Sequence, residues 1–108
     1  MNEEYQKYIN LLEGEVSKQA TRIVEKLSLL KITSWGNYHI IDGYLTYLYK
    51  SDYLGLAFNG YYEYNHKYML RASNEIKVLF LKNAPGILAE LDEEMNNQIA
   101  DIKEMCDV

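Results

Sequence analysis

The chain predicts an α+β domain: a long N-terminal helix, a four-stranded antiparallel meander and two C-terminal helices. Three observations carry this fold class. Apolar residues recur at steps of three and four up to position 30, give way to β-branched and aromatic residues between 33 and 70, and return to the helical period after 70. With 108 residues, 48% hydrophobic and 25% charged, the chain has the size and composition of one globular domain, 1–108.

The first helix, residues 3–30, places Tyr5, Ile9, Leu12, Val16, Ala20, Ile23, Leu27 and Leu30 on one face with charges between them. Leu11, Val24 and Leu29 widen the stripe beyond a coiled-coil seam, which predicts packing against a sheet or several helices. Gly14 lowers helix propensity by about 1 kcal/mol relative to alanine, too little to end so long a run. Asp42-Gly43 and Asn59-Gly60 are each the dipeptide that accepts positive φ in a two-residue type I′ hairpin. With Ser51-Asp52 as a third turn they divide the middle of the chain into strands at 37–41, 44–50, 53–58 and 61–69, Gly55 marking a bulge or a weak strand. Beyond Leu70, Ser73 or Asn74 caps a helix carrying Ile76, Leu79, Phe80 and Ala84. Pro85 has no amide hydrogen and disfavours helix at Ala84. The sequence therefore predicts a break or kink and a second helix opening near Pro85, with Leu88, Leu91, Met95, Ile99 and Ile102 on one face.

Charge is distributed unevenly along the chain. The net charge is −5, and from residue 86 onward seven acidic residues stand against Lys103 alone. Glu90, Glu93, Glu94 and Asp101 lie on the face opposite the apolar stripe, forming an acidic arm that repels nucleic-acid backbones and suits a protein partner with a basic surface, or serves only solubility. The N-terminal MNEEYQKY lacks the basic region and apolar run of a secretion signal, and the longest apolar run, 78–81, is far too short to span a membrane. Cys106 is the only cysteine, which rules out an internal disulfide and suits a reducing compartment, so the expected location is cytoplasmic. Two long apolar stripes on a chain whose sheet has one partner layer predict a homo-oligomer.

Nine of the eleven tyrosines fall between positions 38 and 68. In a strand at 61–69 alternation would put Tyr62, Tyr64, His66 and Tyr68 on one face. Those rings can be ordinary sheet packing with hydroxyls at the edge, or a recognition surface for a protein. A third use is stacking on a base while Lys67 and Arg71 pair a phosphate, which would sequester a nucleotide or cyclic dinucleotide but not long nucleic acid. The candidate binding residues are therefore Tyr62, Tyr64, His66, Lys67, Tyr68 and Arg71. Catalysis finds no support: there is no glycine-rich phosphate loop, no GxSxG and no HExxH. His39 and His66 have no metal spacing with Cys106, and the consecutive Asp92, Glu93 and Glu94 point in different directions on a helix. No enzyme activity, cofactor or metal is expected.

The segment RASNEIKVLFLKNAPGILAELDEEM, residues 71–95, resembles the helical tail of small phage and mobile-element proteins, with leucines, then asparagine-alanine-proline, then a leucine-rich acidic run. It covers about a quarter of the chain, and the short acidic tyrosine-rich whole is similar to phage accessory proteins of the anti-defence inhibitor type. That resemblance implies a non-enzymatic inhibitor that binds a host protein in the host cytoplasm, for anti-defence or host takeover. The alternatives are a nucleotide-sequestering protein using the tyrosine-rich hairpin and a structural or oligomerisation module. The resemblance carries over no site residue.

Overall fold

The apolar residues at three- and four-residue steps near the N-terminus fold as one helix, α1 (Asn2–Leu30), in the computed structural model, which describes residues 2–36, 38–41, 44–51, 56–62 and 73–107. Its buried face is Val16, Ala20, Ile23, Val24 and Leu27. It stops in a double hydrogen-bonded cap: the Lys31 amide donates to the Ser28 carbonyl and the Ile32 amide to the Leu27 carbonyl. That cap requires a left-handed residue, and Lys31 takes the position at φ 56° although it is not glycine.

The second helix, α2, runs from Asn74 to Cys106. Ser73 is its N-cap, the hydroxyl accepting from the Ile76 amide at 3.3 Å. Asp107 closes the other end in the left-handed conformation, its amide donating to the Lys103 carbonyl. Pro85 lies inside this single helix. Pro85 is exposed while its neighbour Ala84 is fully buried, so the ring sits on the outer side, where water can reach the carbonyl it leaves without a donor. Both halves of α2 meanwhile bury apolar residues, Phe80 and Ala84 before the turn and Leu88 and Leu91 after it. Packing across the proline outweighs its local preference.

Three cross-links fix how the helices lie. Asn74 Nδ2 donates to the Tyr5 hydroxyl, Lys77 Nζ donates to Glu13 Oε1 at 3.0 Å, and Lys26 pairs with Asp92. The partners ascend together along both helices, so α1 and α2 run parallel. The Lys77–Glu13 contact also sets a register: counted from it, Val16, Ala20, Ile23 and Leu27 fall level with Phe80, Ala84, Ile87 and Leu91. Two alanines at one level let the backbones approach closely.

Parallel helices cannot be joined by a short turn. At 1.5 Å per residue α1 is about 43 Å long, and the chain after Leu30 must travel back to where α2 starts. The return carries four strands: β1 (Ser34–Trp35), β2 (Tyr38–Ile41), β3 (Tyr44–Ser51) and β4 (Leu56–Tyr62), antiparallel and adjacent in chain order. Ile41 faces Tyr44 across β2 and β3, while β3 and β4 pair from Leu45 opposite Tyr62 to Ser51 opposite Leu56. Among the described residues of this ribbon, Tyr38 and Leu45 join the buried core, Tyr38 with its ring centroid 6.0 Å from that of Phe80.

The expected α+β fold is overturned. The structure is a pair of long parallel helices that supplies most of the core, and the four-stranded meander between one N-terminal and two C-terminal helices does not form as drawn. Asn59 and Gly60 are not a hairpin turn; they lie inside β4, opposite Leu48 and Tyr47. Over the described residues of the strands expected at 53–58 and 61–69, one strand runs through the proposed turn, and a two-residue strand, β1, forms where none was expected; residues 53–55 and 63–69 lie outside the described residues. The reason is pairing length: continuing β4 through Asn59-Gly60 gives β3 a partner along nearly its whole length, which a tight turn there would forfeit. Pro85 does not divide the C-terminal segment, for the packing reason given above. The expected turn at Asp42-Gly43, Asp52 of the expected third turn, and Gly55 lie outside the described residues.

The packing around Pro85 and Lys77 makes two stability predictions. Replacing Pro85 by alanine restores a backbone donor on an exposed helix face and should raise stability by about 1–3 kcal/mol in urea unfolding; an unchanged midpoint would show that the proline is already accommodated without cost. Glu13→Ala leaves the Lys77 ammonium, 3% exposed, without its carboxylate. The expected loss is about 2–4 kcal/mol, and Glu13→Ala combined with Lys77→Met should recover most of it.

Candidate functional site

The outer face of α2 follows from what the inner face is used for. Ala84, Leu88 and Leu91 turn toward α1 and are buried, and the helical period then carries Glu90, Glu93 and Asp101 to the exposed side, with Glu94 half-buried. These acids are not equivalent. Trp35 Nε1 donates to Glu90 Oε2 at 2.9 Å, so Glu90 ties β1 to α2. Asp92, their neighbour, is held by Lys26 of α1. Glu94 accepts from Gln98 Nε2 at 3.2 Å, one turn along the same helix. Glu93 and Asp101 are exposed and have no hydrogen-bond or ion-pair partner among the described residues.

Along the same helix, the register with α1 leaves an unmatched end. Leu30, the last residue of α1, falls level with Glu94, and α2 continues to Cys106. The apolar residues of that extension are largely open to solvent: Ile99 is 49% exposed, Ile102 58% and Met105 83%. Glu94 and Asp101, seven residues apart, lie along one border of this stripe, and Lys103 lies toward the other. The arrangement offers an apolar strip with an acidic edge and can make contacts of charge and area.

Of the tyrosine-rich set, Tyr62 is the last residue of β4, its backbone opposite Leu45. Tyr64, His66, Lys67, Tyr68 and Arg71 lie outside the described residues, so the structure neither gathers nor separates them. Among the described residues no group of three histidine, cysteine or acidic side chains is placed to hold a metal, and no helix is long and apolar enough to cross a membrane. The sequence reading missed the Trp35–Glu90, Lys77–Glu13 and Lys26–Asp92 links. A signal for one was present: Glu13 precedes Val16 by the same three residues by which Lys77 precedes Phe80, both at positions on the apolar face. No family model, curated protein or solved structure matches the chain.

Trp35 is the only tryptophan, so its emission reports on Glu90 directly. Glu90→Ala should shift that emission to the red and alter its intensity, whereas Glu93→Ala should leave the spectrum unchanged. Equal spectra for the wild type and both variants would mean that the indole does not hold the carboxylate in solution.

Proposed function

We propose that the protein is a non-enzymatic binding protein that inhibits a protein partner by docking the acidic outer face of α2 on a basic surface. One observation carries the reading: the inner face of α2 is occupied by α1, while Glu93 and Asp101 stand exposed beside Glu90 and Glu94 with no partner among the described residues. A carboxylate that must be paired inside its own protein contributes little to steering; among the described residues these two have no such pairing. Charges of one sign along a rigid helix raise the encounter rate with an oppositely charged surface and fix its orientation. The likeness of residues 71–95 to small phage proteins makes a host protein, in defence or in a process taken over, the kind of target this reading favours. It places the protein in the cytoplasm, that of the host if the chain is phage-encoded. The nucleotide-sequestering alternative gains no observation from the described residues and is not taken further.

The test is kinetic. With a partner captured from bacterial lysate and then purified, Glu90→Gln, Glu93→Gln, Glu94→Gln and Asp101→Gln combined should slow association about tenfold at low salt and flatten its dependence on ionic strength, while dissociation changes less. An association rate and salt slope equal to those of the wild type would overturn the electrostatic reading.

A further inference from the structure

We infer that the extension of α2 beyond the end of α1 is the seat for a basic amphipathic helix, which lays its apolar face on Ile99, Ile102 and Met105 and its cations along Glu94 and Asp101. The inference rests on the proposed function and names the shape and chemistry of the partner that function requires.

The argument starts from the register. A pairing that puts Lys77 beside Glu13 puts Glu94 beside Leu30, so residues 95–106, about 18 Å of helix, run on past the last turn of α1. Had the extension been only a solubilising tail, its period would not need apolar residues. Instead the spacing that buries Leu88 and Leu91 continues through Met95, half-buried, to Ile99, Ile102 and Met105. Three turns of helix with one apolar strip is the footprint read by another helix, through anchors three and four residues apart. Methionines at positions 95 and 105 suit such a seat, because their flexible thioether side chains adapt to different anchors.

Charge decides what covers the strip. Seven acidic residues and one base lie from position 86 onward, and a second copy of this chain would set two such segments against each other. A basic helix instead meets complementary charge at the border the strip shares with Glu94 and Asp101, and those pairs would lie at a partly desolvated rim where they select the partner. The apolar strip and the acidic border thus contribute differently, the first to residence time and the second to encounter.

The experiment uses the full chain and two labelled peptides of leucine and lysine, identical in composition. In one the leucines recur at helical spacing on one face; in the other they are scattered around the helix. The wild type should bind the amphipathic peptide at least tenfold more tightly by fluorescence anisotropy. Ile99→Ser with Ile102→Ser should abolish that preference and leave the melting temperature within a few degrees, since both positions are about half exposed or more. The four glutamine substitutions should weaken both peptides together and preserve the preference. No binding to either peptide, no preference in the wild type, or a preference that survives the serine pair would each overturn the inference. So would a wild-type dimer in sedimentation that the serine pair dissociates, because the strip would then be covered by a second copy. Loss of the strip's role with a persisting salt-dependent association would remove this inference while leaving the proposed function standing.

Discussion

The pairing of the buried Lys77 with the half-buried Glu13 fixes the relation of the two helices, and most of the remaining architecture depends on that relation. Both helices carry apolar residues at three- and four-residue steps, and such stripes can match again after a slip of one heptad. A slip would set the Lys77 ammonium, 3% exposed, level with Ala20 in one direction or with Gln6 in the other, and neither side chain carries a compensating charge. An uncompensated charge in that environment is costly, whereas the same pair in register contributes modestly to net stability. The ion pair therefore acts chiefly against wrong registers, with the buried Ala20 and Ala84 reinforcing it by allowing close approach at their shared level. Together with Asn74–Tyr5 and Lys26–Asp92 it selects parallel over antiparallel packing, since reversing one helix about the level of Lys77 and Glu13 would part the other two pairs.

Parallel packing in turn explains the middle of the chain. A short helix–helix turn produces antiparallel neighbours, so a chain committed to parallel ones must return from Leu30 to the level of Asn10 before α2 begins. The strands lie in that return. Their attachment to the helices, among the described residues, is through few buried side chains, Tyr38 against Phe80 and Leu45, together with the Trp35–Glu90 hydrogen bond. The core is consequently helical in substance, with the ribbon as a connection that also covers one side.

Local signals in the sequence located what depends on local physics. The three- and four-residue period located α1 and the start of α2, and Ser73 is the cap that residue type suggested. What failed was each inference in which a local preference competes with a distant partner. Asn59-Gly60 is a strong turn signal in isolation, yet opposite Tyr47 and Leu48 it continues a strand. Pro85 stops a lone helix, yet with Ala84 and Leu88 held on α1 it does not. At Lys31 the mismatch runs the other way: the left-handed cap after α1 is a glycine position occupied by lysine, and nothing local marks it. Of the candidate site, the acidic face was legible because helical spacing alone sorts it. The division of its members into structural and free was not, since Trp35 and Lys26 reach Glu90 and Asp92 from 55 and 66 residues away in the chain.

That division bears on how one helix can serve both a fold and a surface. The acids nearest the contact with α1 and β1 are drawn into holding the molecule together, Asp92 by Lys26 and Glu90 by Trp35. Moving toward the C-terminus, the partners among the described residues run out because α1 ends, and carboxylates and apolar side chains become exposed over the same turns. The exposure of Ile99, Ile102, Met105 and Asp101 thus has one geometric cause, the offset between two helices whose ends do not coincide. Shortening α2 to match α1 would remove both at once without disturbing the buried layers from Lys77 to Leu91, so the extension contributes little to the described core.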